Sequence, residues 1–358
     1  MRSDVVLFGT GSLARSIVYN LATTTVSRAP LTVLIVGRSR VEVEEVAFVA
    51  RGRAGAAGAG HAFDPFTASW AESSVAADIL HQHRPVVTIV AASEQSPWEL
   101  ARDADAWAQL VKRAGFGITL PLNASLASQV FLAANGTEPR PFFINACYPD
   151  AVNSLLAALG PSDRLVGVGN AAIIESLHRG AFPGTQSVRV VAHHRHLGEL
   201  SNGDERDPPV VYADDDRVSL TAVAVALRGI RGMELNWVTG ASVSRLIDAL
   251  VADCPFSGSV PGPLGEIGGY PVTVAHRAIT IDLPTGVSIT DAREINARAA
   301  LREGVVVRDG AAHFSAGARD ALMEYGYPFA DGFAASSLQD AVSELRVMRE
   351  RLQRAPPK

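Results

Sequence analysis

Three observations predict an α/β fold built on a doubly wound parallel sheet. Val5-Val6-Leu7-Phe8 is a continuous apolar run that reads as a buried strand. It feeds directly into Gly9-Thr10-Gly11-Ser12-Leu13-Ala14, a tight turn followed by helical spacing from Arg15 to Ala22. Beyond it, β-branched apolar runs alternate with helical segments, the pattern of strands joined by right-handed crossovers. Residues 1–170 are therefore expected to form a Rossmann domain, and the less regular residues 171–358 a second, α+β domain.

The turn carries the first functional reading. In a Gly-x-Gly-x-x-Ala turn the first glycine, Gly9, permits the sharp bend. Gly11 lets a pyrophosphate approach the backbone, and Ala14 lets helix and strand pack closely. The helix that follows offers unpaired N–H groups and a partial positive charge to phosphates. Gly9 to Ala14 are thus candidate dinucleotide contacts.

Leu31-Thr-Val-Leu-Ile-Val36 is the second strand. An NAD site carries Asp or Glu at this strand's end, ~20 residues past the glycines, for the ribose 2′-OH. Here the strand ends in Gly37-Arg38-Ser39-Arg40. Two guanidiniums and a hydroxyl suit a 2′-phosphate, so Arg38, Ser39 and Arg40 favour NADP(H) over NAD(H).

Residues 41–53 read as helix, 62–64 as a short third strand, and 68–82 as helix. Pro85–Ala92 follows as a fourth buried strand. Ligands bind such sheets at the carboxyl ends of the strands, which adds Ala91, Ala92 and Ser93 to the cofactor contacts. Helices are expected over 99–114, which holds Arg102, and over 121–134. A strand at 141–145 ends in Asn145, a helix covers 151–159, and a strand spans 164–169. In the second half, 171–179 reads as helix and 187–192 as a strand opening into His193-His194-Arg195-His196. Residues 201–216 form a loop or hairpin, and 241–252 a strong helix containing Ser242. Strands are expected at 271–276 and 278–283. A C-terminal helix at 337–353 is opened by Ser337 and Asp340, a capping-box variant.

Composition narrows the chemistry. The chain has 358 residues, 19% of them charged, and a formal net charge of −5, a balance that draws neither nucleic acid nor anionic membrane. No apolar run approaches the ~20 residues of a membrane span, and the first one ends in Gly-Thr-Gly without a leader pattern. A cytoplasmic enzyme is expected. Cys147 and Cys254 make neither a disulfide framework nor a zinc cluster. Lys112 and Lys358 are the only lysines. That removes the phosphate-binding loop ending Gly-Lys-Ser/Thr and the Tyr-x-x-x-Lys pair of short-chain reductases.

The order of these pieces resembles the lactate/malate dehydrogenase superfamily, at the level of pattern over most of the chain. Val190-Val191-Ala192-His193-His194 matches the frame in which that family carries its proton-transfer histidine, which singles out His194 over His193 and His196. Asn145 stands where the family's asparagine touches nicotinamide and substrate. Arg102 falls near the arginine of the mobile lid, and Ser242 where a substrate-facing Thr or Ser is common. Gly265-Glu266-Ile267-Gly268 and Pro271-Val272 resemble a further family stretch. The departures are equally clear. The family's Asn-Pro-Val-Asp becomes Asn145-Ala146-Cys147-Tyr148-Pro149-Asp150. Its Asp-x-x-Arg pair, which orients the histidine and clamps a carboxylate, has no ungapped match; a two-residue insertion brings Glu175 there, with His178 or Arg179 in the clamp's place.

The resemblance implies hydride transfer between a nicotinamide and a carbonyl, carbinol or imine carbon of a small molecule other than lactate or malate. It also implies self-association, with a homodimer expected. Two alternatives stand beside this reading. One is an NAD- and metal-dependent glycoside hydrolase of the same fold, using the His193/His194/His196 cluster, although the main reading assigns no metal ligands. The other is a non-catalytic NADP(H)-binding protein.

Overall fold

The computed structural model describes all residues except 1, 25–28, 70–72, 97–104, 205–206, 231 and 356–358. Its centre is a six-stranded parallel sheet in the order β3-β2-β1-β4-β5-β6, with strands β1 (Val5–Phe8), β2 (Thr32–Gly37), β3 (Ala62–Thr67), β4 (Val87–Val90), β5 (Phe142–Asn145) and β6 (Leu165–Gly167). Both faces are covered, so β1, β2 and β4 are near-continuously apolar and buried instead of alternating, unlike the edge strand β3. Val5, Leu7, Val33, Ile35, Val87 and Ile89 pack against helices α1 (Ser12–Leu21) and α2 (Arg40–Ala57). Val6, Phe8, Leu34, Val36 and Val90 pack against α3 (Ser73–His83), α4 (Ala106–Ala114) and α5 (Leu120–Asn135) on the other face. The third strand runs three residues past its expected end; Pro65 is tolerated there because β3 is an edge strand.

The helical stretch Phe116–Asn135, a 3-10 turn continued by α5, is long and apolar enough to cross a membrane, contrary to the sequence reading. However, 78% of its most apolar window is packed inside the fold, as in a core helix.

Helix α6 (Pro149–Ala157) links β5 to β6, and α7 (Asn170–Ala181) follows β6. Three antiparallel three-stranded sheets follow. The first is β7 (Val188–Val191), β8 (Val210–Ala213) and β9 (Asp216–Arg217); the second is β10 (Phe256–Pro261), β11 (Gly269–Ala275) and β12 (Ala278–Ile281); the third is β13 (Val305–Arg308), β14 (Ala311–Phe314) and β15 (Phe333–Ala334). Between them lie α8 (His194–Asn202), α9 (Thr221–Leu227), α10 (Gly232–Ala252), α11 (Ile289–Glu303) and α12 (Ala316–Glu324); α13 (Leu338–Gln353) closes the chain. One core joins residues of α4–α6 to β13, β14 and α13, so the C-terminal segment packs back on the parallel-sheet half. Ser337 precedes α13 as expected, but its hydroxyl makes no cap bond because a 3-10 turn, Ala335–Ser337, leads into the helix.

Helix α10 begins nine residues before its expected start at 241 and lies along α1. Gly240 makes that contact possible: a Cβ there would sit 2.4 Å from Ser16 Oγ and 2.6 Å from Ser16 O. Ser16 Oγ donates to Asn236 O (2.6 Å), and Asn236 Nδ2 donates to Ser12 Oγ (3.1 Å). This brings the second half of the chain against the Gly-x-Gly turn.

Candidate active site

A cavity of about 730 Å³ runs along the carboxyl ends of β1, β4, β5 and β6, where the strand order reverses. At one end it is lined by Gly9, Thr10, Gly11, Ser12 and Leu13. Gly9 has φ +135°, and a Cβ on it would lie 2.5 Å from Ala91 O, so only glycine fits. Gly11 is the N-cap of α1, and a Cβ there would meet nothing within 4 Å. Its open face and the unpaired N–H groups of the first turn fit a pyrophosphate. Ala14 is fully buried beneath them. Ala91, Ala92 and Ser93 line the adjoining wall, with Ser93 Oγ donating to Gln95 O.

The end of β2 divides. Arg38 is exposed and lines the cavity; Ser39 lines it too and caps α2 by accepting the Glu42 N–H at 3.3 Å. Arg40 does not line it: its guanidinium is 80% exposed and bound to Glu44, one turn along α2. The sequence reading also missed a carboxylate. Glu42, on the first turn of α2, lines the cavity and accepts from Thr10 Oγ1 at 2.6 Å.

Phe116, Tyr148, Asn170, Ile173 and His194 also line the cavity, as do Asn236, bonded to Ser12, and Thr239 of α10. The three histidines separate by role. His193 and His196 are fully buried and cap α8: His193 Nδ1 accepts the Arg195 N–H (3.2 Å), and His196 Nδ1 accepts the His193 N–H (2.9 Å). Burial holds His193 well below its ordinary value and pushes His196 down to about 4, so both rings are neutral at pH 7. Among the described residues, no group of three His, Cys, Asp or Glu side chains is placed to hold a metal ion.

His194, the first residue of α8, lines the cavity with its side chain 36% exposed. Its Nδ1 is 2.9 Å from Glu303 Oε2, and its backbone N–H donates to Asp150 Oδ1 at 2.8 Å. Burial works against the charged ring, but the charge and hydrogen bond of Glu303, with the charge of Asp150, outweigh it and raise His194 to about 9. Asp150 is itself fully buried and raised to about 6 by desolvation, while Asn170 Nδ2 donates to its second oxygen. Phe116 stacks on His194 at 5.4 Å between centroids, and Tyr148 meets it edge-on at 5.6 Å.

Three expected residues stand elsewhere. Glu175 does not meet His194. Positions 170 and 173 of α7 face the main cavity, whereas 172, 175, 176 and 179 face a second cavity of about 160 Å³ on another side of the helix. There Glu175 accepts from Arg179 Nε (3.0 Å) and from the Ser259 N–H. Ser242 lines that same second cavity; one turn earlier, Thr239 takes the position facing the main one. Asn145 is fully buried and does not line the main cavity. Its amide is spent on the following turn: Oδ1 accepts the Cys147 N–H, and Nδ2 donates to Cys147 O and Asn153 Oδ1. Arg102 lies outside the described residues. Cys147 is buried, packs in the core and borders the main cavity, with its thiol raised to about 12 by desolvation.

Among the described lining residues Arg38, at the β2 end, supplies the only guanidinium; Arg195 and Arg302, near His194, are held by Glu199 and do not line the cavity. The arrangement provides a dinucleotide cradle, a charged imidazole that can give up a proton, and walls of aromatic and neutral polar side chains.

No protein-family model and no curated protein matches the sequence. Solved structures are. A malate dehydrogenase from Archaeoglobus fulgidus in complex with NADH superposes with TM-score 0.54 at 12% identity, over 96% of this chain and 99% of that one. The malate dehydrogenase of Cryptosporidium parvum gives 0.53 at 13% identity, over 97% and 100%. The lactate dehydrogenase of Eimeria maxima with NADH and oxamate gives 0.51 at 12% identity, over 84% and 91%. The chain therefore shares the fold of the malate and lactate dehydrogenases, as a divergent example of it.

Proposed function

We propose that the protein is an NADP(H)-dependent oxidoreductase acting on a carbonyl, carbinol or imine carbon of a small molecule other than lactate or malate. The observation that carries this reading is the single cavity joining the Gly9–Leu13 turn to the imidazole of His194. The structural neighbours with NADH bound support a nicotinamide cofactor in that cavity.

A bound nicotinamide supplies the hydride. The chain's own residues do the rest. The first turn of α1 holds the pyrophosphate, with Gly11 allowing close approach. Arg38 supplies the positive charge that favours a 2′-phosphate, while Glu42, occupied by Thr10, opposes it from the same wall. His194 gives its proton to the reacting oxygen or nitrogen during reduction and takes it back in the reverse direction. Raised to about 9, it is protonated at neutral pH, which favours reduction there. Among the described lining residues no guanidinium reaches the His194 end, Arg195 and Arg302 near it being taken up by Glu199, which fits a substrate without the carboxylate that an arginine pairs bidentately.

The test is a fluorescence titration with NADPH and NADH on wild type and Arg38→Ala. Tighter NADPH binding that falls to the NADH level in the variant supports the reading. Tighter NADH binding would reassign the cofactor, and no binding of either would sink the proposal.

A further inference from the structure

We propose that Glu303 is a positioning residue for His194, accepting the Nδ1–H so that Nε2 carries the transferable proton, and that it replaces a carboxylate from α7. The proposal rests on the oxidoreductase reading only in naming what the proton is for.

The geometry is built, not incidental. Glu303 is the last residue of α11 and 4% exposed, with its carboxylate at the negative end of that helix. A buried anion in such a place is costly unless a cation meets it. The group that meets it is His194 Nδ1 at 2.9 Å, with buried His193 Nδ1 3.8 Å away. The Glu303 backbone is fixed by glycines of a different segment. Gly115 has φ +95° and a Cβ on it would lie 2.1 Å from Glu303 O; at Gly117 the same contact would be 2.8 Å. Phe116, between them, lies over the His194 ring. Every element around His194 contributes a defined group. Helix α11 brings Glu303, with Arg302 held by Glu199 and Asp207; α6 brings Asp150 and the turn before it Tyr148; α8 itself carries His193 and Arg195. Of these, Glu303 is the carboxylate bonded to the ring, which fixes the tautomer as well as the charge.

In the step itself, the His194 Nε2–H bond breaks as an O–H (or N–H) bond forms on the substrate. The carbon receives the hydride from the reduced nicotinamide, and the imidazole is left neutral. Glu303 accepts the Nδ1–H before and after and changes no bond.

The experiment follows the His194 ring by NMR titration of the folded apoprotein, in wild type and Glu303→Gln, with Glu303→Asp as a second variant. Glutamine preserves shape and loses charge, so the His194 midpoint should fall by about one to three pH units. Aspartate should restore part of that shift. With a working substrate, the alkaline limb of reductive kcat should move down with the midpoint while KM for the cofactor stays. An unmoved midpoint in a folded Glu303→Gln protein would overturn the proposal. A moved midpoint in a protein that binds neither NADPH nor NADH would support the Glu303–His194 pairing while removing the oxidoreductase reading.

Discussion

Glu303 Oε2 lies 2.9 Å from His194 Nδ1, although 109 residues separate the two in sequence. The pair joins the end of α11 to the start of α8, so the proton-bearing ring is fixed by a segment that the parallel-sheet half does not contain. The residue that the resemblance put in this place, Glu175, instead serves a second cavity on another side of α7.

The pair makes stability depend on alkaline pH. His194 is raised from 6.5 to about 9 in the fold, so its contribution is complete below about pH 6.5 and is lost as pH rises through about 9. Thermal melts of wild type and His194→Ala should therefore differ most at about pH 6 and draw together as pH rises toward 10. A constant difference across that range would show that the ring is not held charged.

Gly115→Ala attacks the same pair from behind. The new Cβ would collide with Glu303 O, and φ +95° is strained for any residue with a Cβ. Strain of this kind costs roughly 1–3 kcal/mol. Chemical denaturation should show a loss of that order, with the His194 midpoint lowered as Glu303 is displaced. Unchanged stability would mean that the segment shifts freely.

Gly240→Ala tests the other contact that assembles the cavity. A Cβ there meets both Ser16 Oγ and Ser16 O, so α10 must move off α1. Overpacking of this sort costs about 1–3 kcal/mol. Asn236 would leave Ser12, and dinucleotide affinity measured by titration should fall with stability. Wild-type affinity in the variant would place α10 outside the binding apparatus.

How far the sequence carried this picture depended on the range of the interactions. The six parallel strands and the Gly9–Ala14 turn were legible because continuous apolar runs and local glycine geometry report themselves. Of the three histidines His194 is the one that lines the cavity, but α8 was not seen: its cap is built from His193 and His196 and not from Ser or Asp. The first turns of α10 lie outside the helix expected at 241–252, and Gly240, just before it, is a packing contact that no local apolar spacing marks. For α11 the signals were present and went unread, with Ser288 and Asp291 forming a capping box and a left-handed Gly304 at the end. No local pattern could reveal that Glu303 reaches His194, because that meeting is set by Gly115 and Gly117 in a distant loop.

Tyr148 offers a last test, one that separates folding from function. It belongs to the stretch that departs from the family's Asn-Pro-Val-Asp, and it adopts a left-handed conformation (φ 46°, ψ 53°) at the N-cap of α6, uncommon for an aromatic residue. The Asn145 amide ties down Cys147, the residue before it, and the Tyr148 ring packs edge-on against Phe116 and His194. Its hydroxyl is buried without a hydrogen-bond partner, and burial beside Glu303 and Asp150 keeps it protonated. A buried unpaired hydroxyl costs about 1–3 kcal/mol, so Tyr148→Phe should leave the fold as stable or more stable. If the hydroxyl serves a ligand, the same variant should bind NADPH normally yet lose turnover, with KM for the substrate raised. Gained stability with unchanged turnover would instead make Tyr148 a packing residue that steadies the His194 ring. Denaturant melts and steady-state kinetics on the one variant decide between the two.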